Sequence, residues 1–296
     1  MMVHASIPVD LHNPGQVFAC LGFLEAADIL SGNAEGGFDW SDETDVRFRL
    51  RADGDVDPFE RVLGFLAAAD VCRREPFGFE DAEGEISIAN TFPARRGDRM
   101  ALPIRLDAAG ERLVDVGHWA DGSSRNPFKL YAGNRSADKI AAAMIHGSRR
   151  TGTKRHAKGK VLRYGVALLW TERREELLDA PFDVLTEMGG SFNFDPRGGW
   201  TALDAGYSPN QHQHLSVAAS PVVEILAAIG LEHARPDEYE TRRVRYGVWG
   251  EIVAPMLARP ALAGADTGIA VRSFRFGLEL SGKNKIVTFA QEEISK

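Results

Sequence analysis

Residues 7–30 read IPVDLHNPGQVFACLGFLEAADIL, and the organisation of the chain is read outward from them. Asn13 has the short polar side chain that accepts hydrogen bonds from the first helical amides. Pro14 suits the first helical position, where an N–H is not needed. Val17, Phe18, Leu21, Leu24, Ala26 and Ile29 lay a broad apolar face along the run to Leu30, and Gly32 ends it. The pattern predicts a buried helix early in the fold. Beyond it, Val46, Phe48 and Leu50 alternate with Arg47, Arg49 and Arg51, which is a half-buried strand with a basic outer face. Asp57-Pro58 opens a second helix over Phe59, Val62, Leu63 and Leu66.

Strand-like pieces follow at Glu85–Ala89, Leu102–Leu106 and Arg112–Val116, then a long Gly-, Ser- and Asn-rich loop over Gly117–Asn134. Ser136 is placed to cap a helix over Ala137–His146, and Val161–Trp170 reads as a strand. Gly189–Pro209 is irregular. Ser220-Pro221 starts a helix through Ile229, and strands are expected at Val244–Trp249, Ala270–Leu280 and Lys285–Ala290, the last two joined at Ser281-Gly282. Helices and strands intermingle without a βαβ rhythm. The expected class is α+β, with mixed, mainly antiparallel sheets, packed helices and long loops. The expected unit is residues 1–296 as one globular body, with a division into two subdomains near residue 150 as the variant; no linker composition marks it.

The chain has 296 residues, 44% hydrophobic and 26% charged, enough for a sizeable core and too apolar for intrinsic disorder. No stretch reaches the twenty apolar residues of a membrane span, and Met1–Asp10 is not a secretory signal, so no membrane partner is expected and the cytoplasm fits. The two cysteines, Cys20 and Cys72, sit among apolar residues and read as small core residues. There is no GxxxxGK[ST] loop, no helix-opening GxGxxG, no HExxH and no GxSxG, and no cofactor is expected.

Net charge is −7, which as a whole repels nucleic acid. The exception is local. From Lys139 to Thr171 there is no carboxylate, and Arg149, Arg150, Lys154, Arg155, Lys158, Lys160 and Arg163 place seven cations in fifteen residues. Lys and Arg among glycines read as a mobile cationic loop that follows a phosphate backbone; the plainer alternative is a solvated loop that aids solubility. In His118–Ala137, Lys129 and Arg135 are interleaved with Trp119, Phe128 and Tyr131, a mixture suited to single strands, unless the rings merely anchor the loop to the core. Asn210 and Gln211, in SPNQHQHLS (208–216), are candidate base readers. The alternative function is a metal-dependent nuclease or phosphodiesterase using Asp195, in GGSFNFDPRGGW (189–200), with His212 or His214. Against it, Asp195-Pro196 reads more simply as a turn aspartate bonding its own backbone, and two histidines make no zinc site.

The stretch at 7–30, with GNRSADKI (133–140) and GGSFNFDPRGGW (189–200), resembles a family of CRISPR-associated proteins from type I-U (I-G) loci, the small large-subunit-like component of the interference complex. The resemblance implies a non-catalytic subunit. Its partners would be other CRISPR-associated subunits, guide RNA and target DNA. Base pairing reads sequence in such complexes, while protein reads backbone shape and a short flanking motif.

Overall fold

Three helices begin at one dipeptide pattern, a capping side chain followed by proline. In the computed structural model, which describes residues 1–75, 102–120, 128–131, 135–151, 160–187, 190–200, 217–281 and 284–293, the helices are α1 (Pro14–Ser31), α2 (Pro58–Ala68), α3 (Ala137–His146), α4 (Val166–Glu172), α5 (Arg174–Asp179), α6 (Pro221–His233) and α7 (Pro255–Leu262). Asn13 Oδ1 accepts from the Gln16 amide at 3.2 Å, Asp57 Oδ1 from Phe59 at 2.8 Å and Glu60 at 3.2 Å, and Ser220 Oγ from Val223 at 3.3 Å. Each cap satisfies amides that the first helical turn leaves without partners. Ser136 stands at the N-cap of α3 but makes no side-chain capping bond, contrary to expectation.

The strands are β1 (Met2–Pro8), β2 (Glu35–Asp39), β3 (Arg47–Asp53), β4 (Asp70–Arg73), β5 (Ile104–Asp107), β6 (Val114–Val116), β7 (Ser148–Thr151), β8 (Lys160–Arg163), β9 (Thr186–Glu187), β10 (Ala218–Ala219), β11 (Asp237–Glu240), β12 (Arg243–Trp249), β13 (Val271–Ser281), β14 (Asn284–Val287) and β15 (Gln291–Glu292). They form sheets of order β1-β3-β2, β4-β5-β6 and β11-β12-β13-β14, the last with β15 on β13, and the pairs β7-β8 and β9-β10. Every pairing among the described residues is antiparallel, and the chain is α+β as its pattern predicts. In β3 the alternation holds: Phe48, Leu50 and Ala52 are buried, while Arg47, Arg49 and Arg51 pair with Asp45, Asp39 and Glu35.

Helix α1 is buried from Pro14 to Ala27 on every side, not along one stripe. It packs on α6, which is buried from Pro221 to Leu231. Their backbones touch. A Cβ on Gly22 would overlap the Leu226 carbonyl, and one on Gly230 would overlap the Phe18 carbonyl. Glycine is the residue that lets two helices approach this closely. Around the pair lie Phe23 against Phe59, Phe18 against Phe128 and Tyr246, and Phe38 and Phe48 against Trp249. The buried polar tips are satisfied. Tyr246 Oη donates to the Leu11 carbonyl at 2.6 Å and Trp249 Nε1 to the Gly36 carbonyl at 2.8 Å.

Three further expectations change. Val161–Trp170 is not one strand: β8 stops at Arg163, and α4 begins at Val166 with Val166 and Leu169 buried three apart. A short apolar run carries no period that separates strand from helix. Cys72 is exposed on β4, whereas Cys20 is buried; both are free thiols. Lys285–Ala290 pairs only to Val287, beyond which Thr288 Nα and Oγ1 both bond to Gly277 and the ladder gives way to β15. Glu85–Ala89 lies outside the described residues. Among the described residues no helix is long and apolar enough to cross a membrane.

Candidate nucleic-acid interface

The basic segment begins where α3 stops. Gly147 adopts φ 71° and its amide bonds the Ala143 carbonyl at 3.1 Å, closing the helix. The chain then enters β7, which pairs with β8 in the register Ser148↔Arg163, Arg149↔Leu162, Arg150↔Val161 and Thr151↔Lys160. The expected mobile loop is therefore, along both arms, an antiparallel hairpin. Val161 and Leu162, between Lys160 and Arg163, fit such an arm, since a β-branched residue favours an extended chain.

The root of the hairpin is packed tightly. A Cβ on Gly147 would overlap the Arg163 carbonyl, and one on Gly165 would overlap the Gly147 amide. The Tyr164 amide donates to Thr186 Oγ1 at 3.2 Å and its hydroxyl donates to Glu172 at 2.8 Å. That bond to a carboxylate raises the tyrosine's pKa. Thus β8 is tied to β9 and to α4. Arg163, at the root, is half-buried, and its Nε is buried without a hydrogen-bond partner among the described residues.

Arg149, Arg150, Lys160 and Arg163 are brought together on the two arms. Lys154, Arg155 and Lys158, between the arms, lie outside the described residues, as do Asn210, Gln211, His212 and His214. Lys129 is half-buried with its Nζ 4.8 Å from the Tyr131 ring centre, a cation–π contact. Arg135 is exposed and its guanidinium lies over Gly190. Arg135 precedes α3 and the hairpin follows it. Ten helical residues set them about 15 Å apart along that axis, so Arg135 does not join the hairpin. Trp119, Phe128 and Tyr131 are buried and anchor their segment, as the alternative reading of that loop had it.

Asp195 is 2% exposed and both its oxygens are taken. Oδ1 accepts from Asn13 Nδ2 at 3.2 Å and from the Arg197 amide at 3.2 Å; Oδ2 accepts from the Ser220 amide at 3.0 Å and Arg197 Nη2 at 2.8 Å. It caps the 3₁₀ turn Pro196–Gly198, as a turn aspartate does, and links the starts of α1 and α6. The sequence reading missed its neighbour. Glu224 is fully buried and accepts from the amides of Phe192 at 2.8 Å, Phe194 at 3.0 Å and Asp195 at 2.8 Å. Burial pushes its carboxyl up to about 7, against the pull of the amides. Glu25 is likewise buried, held by Arg259 through two bonds of 2.7 Å with His233 Nδ1 at 3.4 Å. The signal for both was a carboxylate within the apolar stretch of a helix, apart from the second one near its C-terminal end, Asp28 or Glu232. Among the described residues no group of three His, Cys, Asp or Glu side chains is placed to hold a metal.

Comparison with protein-family models, with curated proteins and with solved structures finds no match to this chain.

Proposed function

We propose that the chain is a non-catalytic subunit of a type I-U CRISPR interference ribonucleoprotein, contacting guide RNA or target DNA through the hairpin β7–β8 in the cytoplasm. One observation carries the reading. Seven cations fall between Arg149 and Arg163 with no carboxylate from Lys139 to Thr171, and the two arms that bound the segment pair in a hairpin whose root is fixed between α3 and α4. Such an element meets phosphates without reading bases. The acidic remainder of the chain suits protein faces toward basic partner subunits. The three strings that carry the family resemblance include α1 and the Asp195 turn, which the fold places against each other through Asn13.

A hydrolytic role for Asp195 draws no support from its geometry. A general base or metal ligand needs a free lone pair facing substrate, and this carboxylate is enclosed by Arg197, Asn13 and Ser220.

Replacing Arg149, Arg150, Lys154 and Arg155 together with alanine tests the proposal. Affinity for single-stranded oligonucleotides of any sequence is expected to fall alike. The slope of log K against log salt is expected to flatten by roughly 3, at about 0.7 for each lost phosphate contact. An unchanged slope and affinity would overturn the assignment.

A further inference from the structure

We propose that a cavity on the outer face of the C-terminal sheet binds one nucleotide of a single strand by stacking its base. It is distant in sequence from the hairpin. The ligand class rests on the nucleic-acid reading above, but the residues are different. The cavity, about 440 Å³, is lined among others by Tyr239, Glu240, Arg243, Arg275, Phe289 and Gln291. A space of that size holds a small ligand.

The register explains the lining. Arg275 stands opposite Arg245 on β12 and opposite Gln291 on β15, while Arg243 stands opposite Gly277. Gly277 puts no side chain on the floor, where a Cβ would lie 3.3 Å from Glu279 Oε1, 3.6 Å from Thr288 Oγ1 and 3.7 Å from an Arg243 nitrogen. The three arginines differ. Arg245 is bonded through both nitrogens to Glu293 and lies 4.6 Å over the Tyr239 ring, so it is neutralised and holds that ring in place. Arg243 and Arg275 make no ion pair or side-chain hydrogen bond among the described residues. The lining itself has one carboxylate, Glu240; Glu279 borders the Gly277 floor, and Glu293, held low by its bonds to Arg245, also feels the charge of Arg275.

Two guanidiniums that make no ion pair among the described residues attract an anion. Two large rings are left in water beside them: Phe289 is 52% exposed and Tyr239 is 40% exposed. A phosphate with an attached base answers both features at once, because every base offers a π-face to a ring and its phosphate offers charge to arginine. An acidic peptide would use the charges and leave the rings idle.

The experiment uses the full chain and two fluorescent probes of about twelve nucleotides, an oligothymidylate and an abasic strand of the same length. The native protein is expected to bind the oligothymidylate about tenfold more tightly than the abasic strand. Phe289→Ala, at an exposed position, is expected to abolish that preference while leaving affinity for the abasic strand intact. Arg243→Ala with Arg275→Ala weakens both. The hairpin variant weakens both while keeping the preference for bases. A native protein without that preference, or a Phe289→Ala variant that keeps it, overturns the inference. If neither strand binds, the inference fails, whereas the complex reading is decided separately by the RNA that co-purifies with the protein.

Discussion

Glu224 shows what a single buried carboxylate does in this molecule. Its two oxygens gather the amides of Phe192, Phe194 and Asp195, and so shape the irregular chain that leads into the Asp195 turn. Those amides would otherwise be buried without partners, at a cost of about 1–3 kcal/mol each. Burial raises the carboxyl from 4.5 to about 7, so folding favours the protonated form. The stability it contributes is full below its unfolded value and is lost as pH rises through about 7. A Gln at this position does not titrate. The advantage of the native protein over Glu224→Gln is therefore expected to shrink by about 3 kcal/mol from about pH 4 to about pH 8, measured by denaturant unfolding. A difference that stays constant with pH would contradict this. The sequence marks Asp195, because a turn aspartate before proline bonds locally. It does not mark the amides that Glu224 meets, which lie some thirty residues before it and face it only because α6 carries Glu224 to them.

At the scale of elements, one close crossing organises the fold. The crossing of α1 on α6 depends on Gly22 and Gly230, where any side chain meets a carbonyl of the facing helix. Gly22→Ala is expected to cost about 3 kcal/mol or more and to lower the unfolding midpoint, because the obstacle is backbone and cannot rotate away. A variant as stable as the native protein would show that the helices can separate without loss. The cap-and-proline starts of α1, α2 and α6 were legible in the sequence, since their chemistry is local. The hairpin was half legible. Its charge was plain, but its pairing depends on a register that no local pattern displays. The turn from β8 into α4 was hidden in one apolar run, VALLW, that suits either state. The cavity beside Phe289 was not legible, because it is assembled from β11, β12, β13 and β15 and the chain between β14 and β15.

Across the whole molecule, charge is segregated. The chain carries −7 overall, and many of its surface arginines are spent on carboxylates, as in Arg61 with Glu111, Arg105 with Asp115 and Arg272 with Glu292. Exposed pairs of this kind add little stability, but they remove those cations from the pool available to a polyanion. Arg243 and Arg275 make no such pair among the described residues, and the sequence concentrates seven cations between Arg149 and Arg163. The α+β class followed from the pattern of elements, and the proposed function rests on where the sequence concentrates positive charge.

The most direct test is purification of the tagged protein from its native host at moderate salt, with sequencing of the RNA that accompanies it. The account predicts short RNAs of uniform length together with other CRISPR-associated subunits, and their loss from the hairpin variant. Recovery of the protein without RNA and without those subunits would contradict it.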